Sequence, residues 1–191
     1  GQNALIAAPT GSGKTVAGFL ANIVHLVKQA ISEPWDDAVR LVYVSPLRAL
    51  SNDIERNLQA PLEGIAATLA EQGVLCPTIR AQVRTGDTPQ SERQKMRRKP
   101  PHILVTTPES LFILLSTPHA AKMFEQVQAV IVDEIHAIVG SKRGDHLNLS
   151  LQRLVAISQR PVQRIGLTAT VKPLSEVAQW LCANETCSIL D

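Results

Sequence analysis

Seven short aliphatic runs punctuate the chain, at residues 4–7, 41–45, 79–84, 103–105, 129–132, 165–167 and 188–190. None is long enough for a helix, and none shows the strict polar alternation of a half-exposed strand. Each therefore reads as a strand buried on both faces. Between them lie stretches with helical spacing, at 14–31, 49–72, 90–99, 109–115, 145–158 and 174–181. In the fifth of these, Leu147, Leu151, Leu154 and Val155 fall on one helix face. Strand–helix alternation sustained from end to end predicts a doubly wound α/β domain around a mostly parallel sheet of about seven strands. Only 3% of the 191 residues are aromatic while 45% are hydrophobic. The core must then be filled by Val, Ile, Leu and Ala, the usual content of such a sheet. The length suits one domain, residues 1–191, with a sizeable core.

Several function classes are disfavoured at this level. The formal net charge is +2, from 19 Lys and Arg against 17 Asp and Glu, so a polyanion would have to be held by a local surface rather than by bulk charge. No stretch approaches the roughly 20 apolar residues of a membrane-spanning helix, and no signal-peptide pattern is visible. Cys76, Cys182 and Cys187 are an odd, sparse set without zinc-ligand spacing. They read as structural residues of a reducing compartment, the cytoplasm. The loosest segment is 32–37, where Pro34 ends a helix and Trp35 sits among polar residues. Trp35 is either an exposed contact point or, more commonly for such a residue, packed on the domain's own surface.

The chemistry begins directly after the first run, at Ala8-Pro9-Thr10-Gly11-Ser12-Gly13-Lys14-Thr15. A glycine-rich turn between strand and helix lets backbone N–H groups converge on a phosphate chain, and the helix N-terminus adds its positive dipole end. Lys14 is placed to reach β- and γ-phosphates, and the Thr15 hydroxyl to bind Mg²⁺. Ala8 stands where the general phosphate-loop pattern has glycine. The second signal is Ala129-Val130-Ile131-Val132-Asp133-Glu134-Ile135-His136. A buried strand ending in two acids puts both carboxylates at its tip, so Asp133 can hold the Mg²⁺ shell and Glu134 can polarise an attacking water. An acid pair alone is more often a solvated loop, and a lone histidine such as His136 more often structural. The phosphate loop upstream is what favours the functional reading of the acids.

The other strand ends share a character. The run at 41–45 leads into Pro46-Leu47-Arg48-Ala49-Leu50, 79–84 into Thr85-Gly86-Asp87, 103–105 into Thr106-Thr107-Pro108-Glu109, and 165–167 into Thr168-Ala169-Thr170. In an open parallel sheet all carboxyl ends line one edge, where ligands bind. So many polar loops on one edge exceed what a nucleotide needs, and a second, elongated ligand accounts for the surplus. Hydroxyls, backbone N–H groups, helix N-termini and one arginine suit sugar–phosphate contact without base readout. Taken singly, each loop is as readily a turn and helix cap.

In this order, the phosphate loop, Pro-Leu-Arg, Thr-Gly-Asp, Thr-Pro-Glu, Asp-Glu-Ile-His and Thr-Ala-Thr resemble the first RecA-like lobe of a superfamily 2 DExH-box helicase. Within that superfamily the chain is most similar to the large helicase-related (Lhr) family, through residues 132–154 (VDEIHAIVGSKRGDHLNLSLQRL) and 163–171 (QRIGLTATV). The resemblance covers nearly the whole chain. It implies an ATP- and Mg²⁺-dependent enzyme moving 3′ to 5′ along single-stranded nucleic acid, DNA in preference to RNA, in a bacterial or archaeal cytoplasm. Lys14, Thr15, Asp133 and Glu134 would bind and hydrolyse Mg–ATP, within a cradle formed by Ala8 to Thr15. His136, Thr168 and Thr170 would couple the nucleotide state to a second lobe and the nucleic acid. Arg48, Thr85, Gly86, Thr107 and Pro108 would lie along the tracking strand.

Ski2-like and Hel-type helicases share an Asp-Glu-Ile/Val-His box followed by Arg-Gly, here Arg143-Gly144, and are the nearest alternatives. A phosphate-loop enzyme acting on a small molecule is disfavoured by Thr168-Ala169-Thr170 and the Thr-Pro-Glu loop. A binding module with degenerate catalysis is disfavoured by the intact Lys14, Thr15, Asp133 and Glu134. The resemblance also implies that the family's upstream adenine-reading glutamine and second RecA-like lobe lie outside residues 1–191. A lobe without its partner is expected to be nearly inactive, because arginine fingers supplied across such a cleft are worth about 10³–10⁵ in rate.

Arg93, Lys95, Arg97, Arg98 and Lys99 form the densest positive run. On a helix that starts at the ligand edge and runs back along the sheet, about ten residues at 1.5 Å each put the last turn roughly 15 Å from that edge. The run reads first as a solvated face that stabilises a helix carboxyl end. Replacing Arg97 and Arg98 by Ala is accordingly expected to leave the single-strand affinity of the full-length protein nearly intact in a filter-binding titration. A loss beyond one or two screened phosphate contacts would instead assign the run to the nucleic-acid surface.

Overall fold

The aliphatic runs pair as seven strands: β1 (Asn3–Ala7), β2 (Leu41–Val44), β3 (Ala81–Arg84), β4 (Ile103–Thr106), β5 (Ala129–Val132), β6 (Gln163–Thr168) and β7 (Cys187–Leu190). This computed structural model describes residues 1–9, 13–46, 48–169, 173–183 and 185–191, with the side chains of 48–57 outside that description. The strands lie in the order β3-β4-β2-β5-β6-β1-β7, and among the described residues every pairing is parallel. The sheet is thus more uniform than the mostly parallel one expected. A helix in each connection carries the chain back to the starting edge, which parallel pairing demands.

Those helices are α1 (Lys14–Ser32), α2 (Arg48–Glu71), α3 (Gln90–Arg98), α4 (Pro108–Leu115), α5 (Ala120–Phe124), α6 (Lys142–Ile157) and α7 (Leu174–Cys182), with a 3₁₀ turn at Ile135–Ala137. The sequence reading missed α5, whose five residues are too few to show a helical period. It also started α6 too late. Ser141 is the N-cap, its hydroxyl accepting from the Gly144 N–H at 3.1 Å, and Ser followed by basic residues hid a start that hydrogen bonding defines.

Alternation along each strand builds two cores. In β2, Leu41 and Tyr43 pack with Phe19, Ile23 and Leu26 of α1 and Leu58 and Leu62 of α2. Val42 and Val44 face the other way, toward Leu111 of α4, Leu147, Leu151 and Leu154 of α6, and Leu181 of α7. Trp35 packs on the domain itself: the Arg40 guanidinium lies 4.3 Å from its ring and the His102 ring 4.7 Å away. The three cysteines are free, and burial pushes the Cys182 thiol up to about 12, which suits an inert core residue. Among the described residues, no helix is long and apolar enough to cross a membrane.

His102 secures the start of the β3–β4 pair, its Nδ1 accepting from the Arg80 backbone N–H at 3.0 Å. Burial, with the Arg80 and Arg40 charges nearby, pushes this imidazole down to about 4. Above its ordinary value of 6.5 the group is neutral folded and unfolded. Below that, the unfolded chain binds a proton the folded chain refuses, so stability falls by about 1.4 kcal/mol per pH unit until the folded group also titrates. His102→Asn, which keeps an acceptor toward Arg80, is expected to flatten this part of the stability profile in urea melts between pH 7 and pH 4.

Candidate active site

One strand, β6, separates β1 from β5, so the loops leaving β1 and β5 start about 10 Å apart. The Ala8 N–H donates to the Thr168 carbonyl at 3.1 Å, carrying β1's ladder into the loop before Pro9. Gly13, at φ +85°, caps α1 in the left-handed region that glycine adopts without strain. Lys14 opens α1 and is only 6% exposed. Its Nζ lies 3.4 Å from Glu134 Oε1 yet makes no hydrogen bond. A buried ammonium with unmade hydrogen bonds is costly, and multiple anionic oxygens would relieve that cost. Thr10, Gly11 and Ser12 lie outside the described residues.

The acid pair is set by the backbone past β5. The Asp133 N–H donates to the Val44 carbonyl at 2.9 Å, extending the ladder by one residue. Asp133 Oδ1 accepts from the Glu134 N–H at 2.8 Å, and Oδ2 accepts from the Tyr43 hydroxyl. Burial pushes the Asp133 carboxyl above its ordinary range, while these hydrogen bonds and the Lys14 charge pull the other way. Glu134 adopts φ +46°, ψ +40°. That conformation costs a non-glycine residue about 1–3 kcal/mol, and in it the carboxylate reaches Lys14.

Sequence reasoning missed Tyr43. It is the chain's only tyrosine, and inside an aliphatic run it reads as one more core residue. The available signal was chemical: a fully buried phenol needs a hydrogen-bond partner. Its hydroxyl donates to Asp133 and lies beside the Thr15 side chain. Burial and the Asp133 charge hold it firmly protonated. Thr15, Tyr43 and Asp133 thus form a row joining the first turn of α1 to the tip of β5. The hydroxyl and carboxylate at its ends are oxygen donors of the kind that hard divalent cations take, with substrate phosphates completing the shell.

His136 sits between the ends of β5 and β6. Its Nδ1 lies 3.3 Å from the Ala169 N–H, 3.3 Å from Thr168 Oγ1 and 3.4 Å from Glu134 Oε2. The Ala169 N–H can only donate, so Nδ1 carries a lone pair and the ring proton sits on Nε2. His136 and Thr168 are brought together, whereas Thr170 lies outside the described residues.

The remaining candidates occupy the other half of the edge. Thr85 and Gly86 follow β3, Thr107 and Pro108 follow β4, and Arg48 opens α2 after β2, its side chain outside the description. Thr107 is 1% exposed and its Oγ1 accepts from the Ser110 N–H at 3.3 Å, capping α4. The buried Thr85 accepts from the Asp87 N–H at 3.3 Å. Both hydroxyls are committed internally, so this rim presents backbone, with Gly86 exposed. Arg93 departs from the solvated-face reading. It donates to the Thr88 and Gly86 carbonyls, each at 2.6 Å, and braces the Thr85–Thr88 turn.

A sequence model of the DEAD/DEAH box helicases matches residues 1–178. The chain belongs to the DEAD/DEAH-box helicase family. The ATP-dependent helicase Lhr-Core of Methanocaldococcus jannaschii is 51% identical over 192 residues, covering the whole chain and 22% of the relative. The Lhr helicase/uracil glycosylase of Escherichia coli is 45% identical over 194 residues, covering the whole chain and 12% of the relative. The structure of Mycobacterium smegmatis helicase Lhr bound to ssDNA and AMP-PNP superposes with a TM-score of 0.91 at 46% identity, over all of this chain and 24% of that one. The chain therefore spans less than a quarter of the length of these relatives.

The Lhr resemblance and the RecA-like lobe read from the motifs are borne out. Within this DEAD/DEAH-box helicase domain, Tyr43 is the buried strut of the acid pair. Tyr43→Phe keeps the ring stacked on Phe19 at 4.8 Å but leaves a buried Asp133 oxygen without its donor. The expected loss is about 1–3 kcal/mol of folding stability, read from urea melts at pH 7.

Proposed function

We propose that this chain is the nucleotide-binding lobe of an Lhr-type helicase that hydrolyses Mg–ATP to move 3′ to 5′ along single-stranded DNA. The observation that carries the proposal is the buried Lys14 ammonium, without a hydrogen bond, at the same rim as Glu134 and the Thr15–Tyr43–Asp133 row. Lys14 and the backbone from Ala8 to Thr15 would bind the β- and γ-phosphates. Thr15 and Asp133 would hold Mg²⁺, which when bound neutralises charge on the phosphate oxygens. Glu134, held by its reversed backbone, would orient the attacking water and take its proton at a carboxylate oxygen.

His136, Thr168 and Thr170 would relay the state of that site to a second RecA-like lobe, whose arginines would complete catalysis. Arg48, Thr85, Gly86, Thr107 and Pro108 would border the strand, largely through backbone N–H groups. The binding of ssDNA and AMP-PNP by the M. smegmatis relative supports both the nucleotide and the DNA reading. The polarity, and a cytoplasmic site of action, rest on likeness to the Lhr family. In the full-length protein, Glu134→Gln is expected to preserve ATP binding while lowering hydrolysis by about 10²–10⁴. DNA-stimulated phosphate release measured beside nucleotide binding checks this, and surviving turnover would remove Glu134 from the role of water-positioning base.

A further inference from the structure

We infer that Arg143-Gly144 is a positioning device that joins the acid box to the single-strand rim: Gly144 seats the first turn of α6 against the segment leaving Glu134, and Arg143 clamps the β2 and β4 loop ends. The inference deepens the helicase reading above and rests on it. The connection from Glu134 is short and held by a run of backbone hydrogen bonds. The Ala137 N–H donates to the Glu134 carbonyl at 2.9 Å, and the Ile138 N–H to the Ile135 carbonyl at 3.1 Å. Ser141 Oγ then donates to the Ile138 carbonyl at 2.6 Å while accepting from the Gly144 N–H. A Cβ on Gly144 would fall 2.1 Å from the Ile138 carbonyl oxygen and 2.9 Å from its carbon. Both are backbone atoms, so no side chain fits without moving α6 off the acid-box turn.

From that fixed base Arg143 reaches across the edge. Its Nε donates to Glu109 Oε1 at 2.6 Å, and its Nη2 donates to Glu109 Oε2 at 3.1 Å and to the Pro46 carbonyl at 2.9 Å. Glu109 directly follows Thr107-Pro108, and Pro46 precedes Arg48 by two residues. One guanidinium therefore ties two rim loops, from β4 and β2, to the helix that follows β5, and those three strands are neighbours. The pair is 40% and 50% exposed, and exposed ion pairs add little stability. What the arrangement supplies is geometry, because the planar fork engages both carboxylate oxygens in a way a lysine cannot. It also neutralises a carboxylate that would otherwise stand beside passing phosphates.

The test uses the full-length protein and two titrations of ATP hydrolysis, one against single-stranded DNA and one against ATP. Arg143→Ala and Arg143→Lys are each expected to raise the DNA concentration for half-maximal stimulation by about tenfold, within the range for residues that couple two sites. The ATP concentration for half-maximal rate and the melting temperature should stay near the parent values. Glu109→Gln should act in the same direction but more weakly, and Arg143→Ala with Glu109→Gln should be no worse than Arg143→Ala alone, as residues acting through one contact behave. An unchanged DNA dependence, equal shifts in both titrations, or additive losses would overturn the clamp. If the unaltered protein shows no stimulation by nucleic acid, the helicase reading itself fails, and the inference fails with it.

Discussion

Parallel pairing is the constraint from which the rest of this domain follows. Because the strands all run one way, their carboxyl ends emerge at a single rim. The order β3-β4-β2-β5-β6-β1-β7 divides that rim in two. The loops after β1 and β5 hold Lys14, Asp133, Glu134 and His136, and those after β3 and β4 present turns held by Thr85 and Thr107. Their boundary is the β2–β5 seam, where Val44 pairs with Val132. Beyond the backbone ladder, side-chain ties cross it: the buried hydrogen bond from Tyr43 to Asp133 and the exposed guanidinium of Arg143 reaching Pro46 and Glu109. An antiparallel strand anywhere along this order would send one loop to the far edge and break the set.

The half that carries Lys14, Asp133 and Glu134 is built from arrangements that a domain selected for stability alone would avoid. It buries an ammonium without hydrogen bonds, a carboxylate whose ionisation is opposed by burial, and a left-handed glutamate. Each is unfavourable by an amount comparable to one good core contact, and the two apolar layers around β2, β5 and β6 offset them. A buried ammonium with unmade hydrogen bonds is a group whose cost anionic oxygens relieve.

The opposite half follows a different rule. Thr107 and Thr85 use their hydroxyls to cap their own turns, and Arg93 and Arg143 brace those turns through carbonyl and carboxylate contacts. Side chains that look like ligands to a sugar–phosphate chain instead hold the backbone that would meet it. What this rim exposes is therefore turn backbone, at Gly86, rather than the threonine hydroxyls.

Much of this was legible in the linear chain. Aliphatic runs of strand length, helical periods between them, and the Gly-Lys-Thr and Asp-Glu motifs at strand ends are local patterns. Local patterns determine which elements form and where phosphate chemistry can sit. The short α5 and the cap that starts α6 at Lys142 escaped because five residues carry no period and a cap is defined by its hydrogen bond. The strand order, the row from Thr15 through Tyr43 to Asp133, and the Arg143 clamp were decided only by the tertiary structure. Tyr43 and Asp133 are 90 residues apart, and Arg143 lies 97 from Pro46 and 34 from Glu109. Partners so distant leave no spacing to read, because their meeting depends on which strands become neighbours when the sheet closes its core.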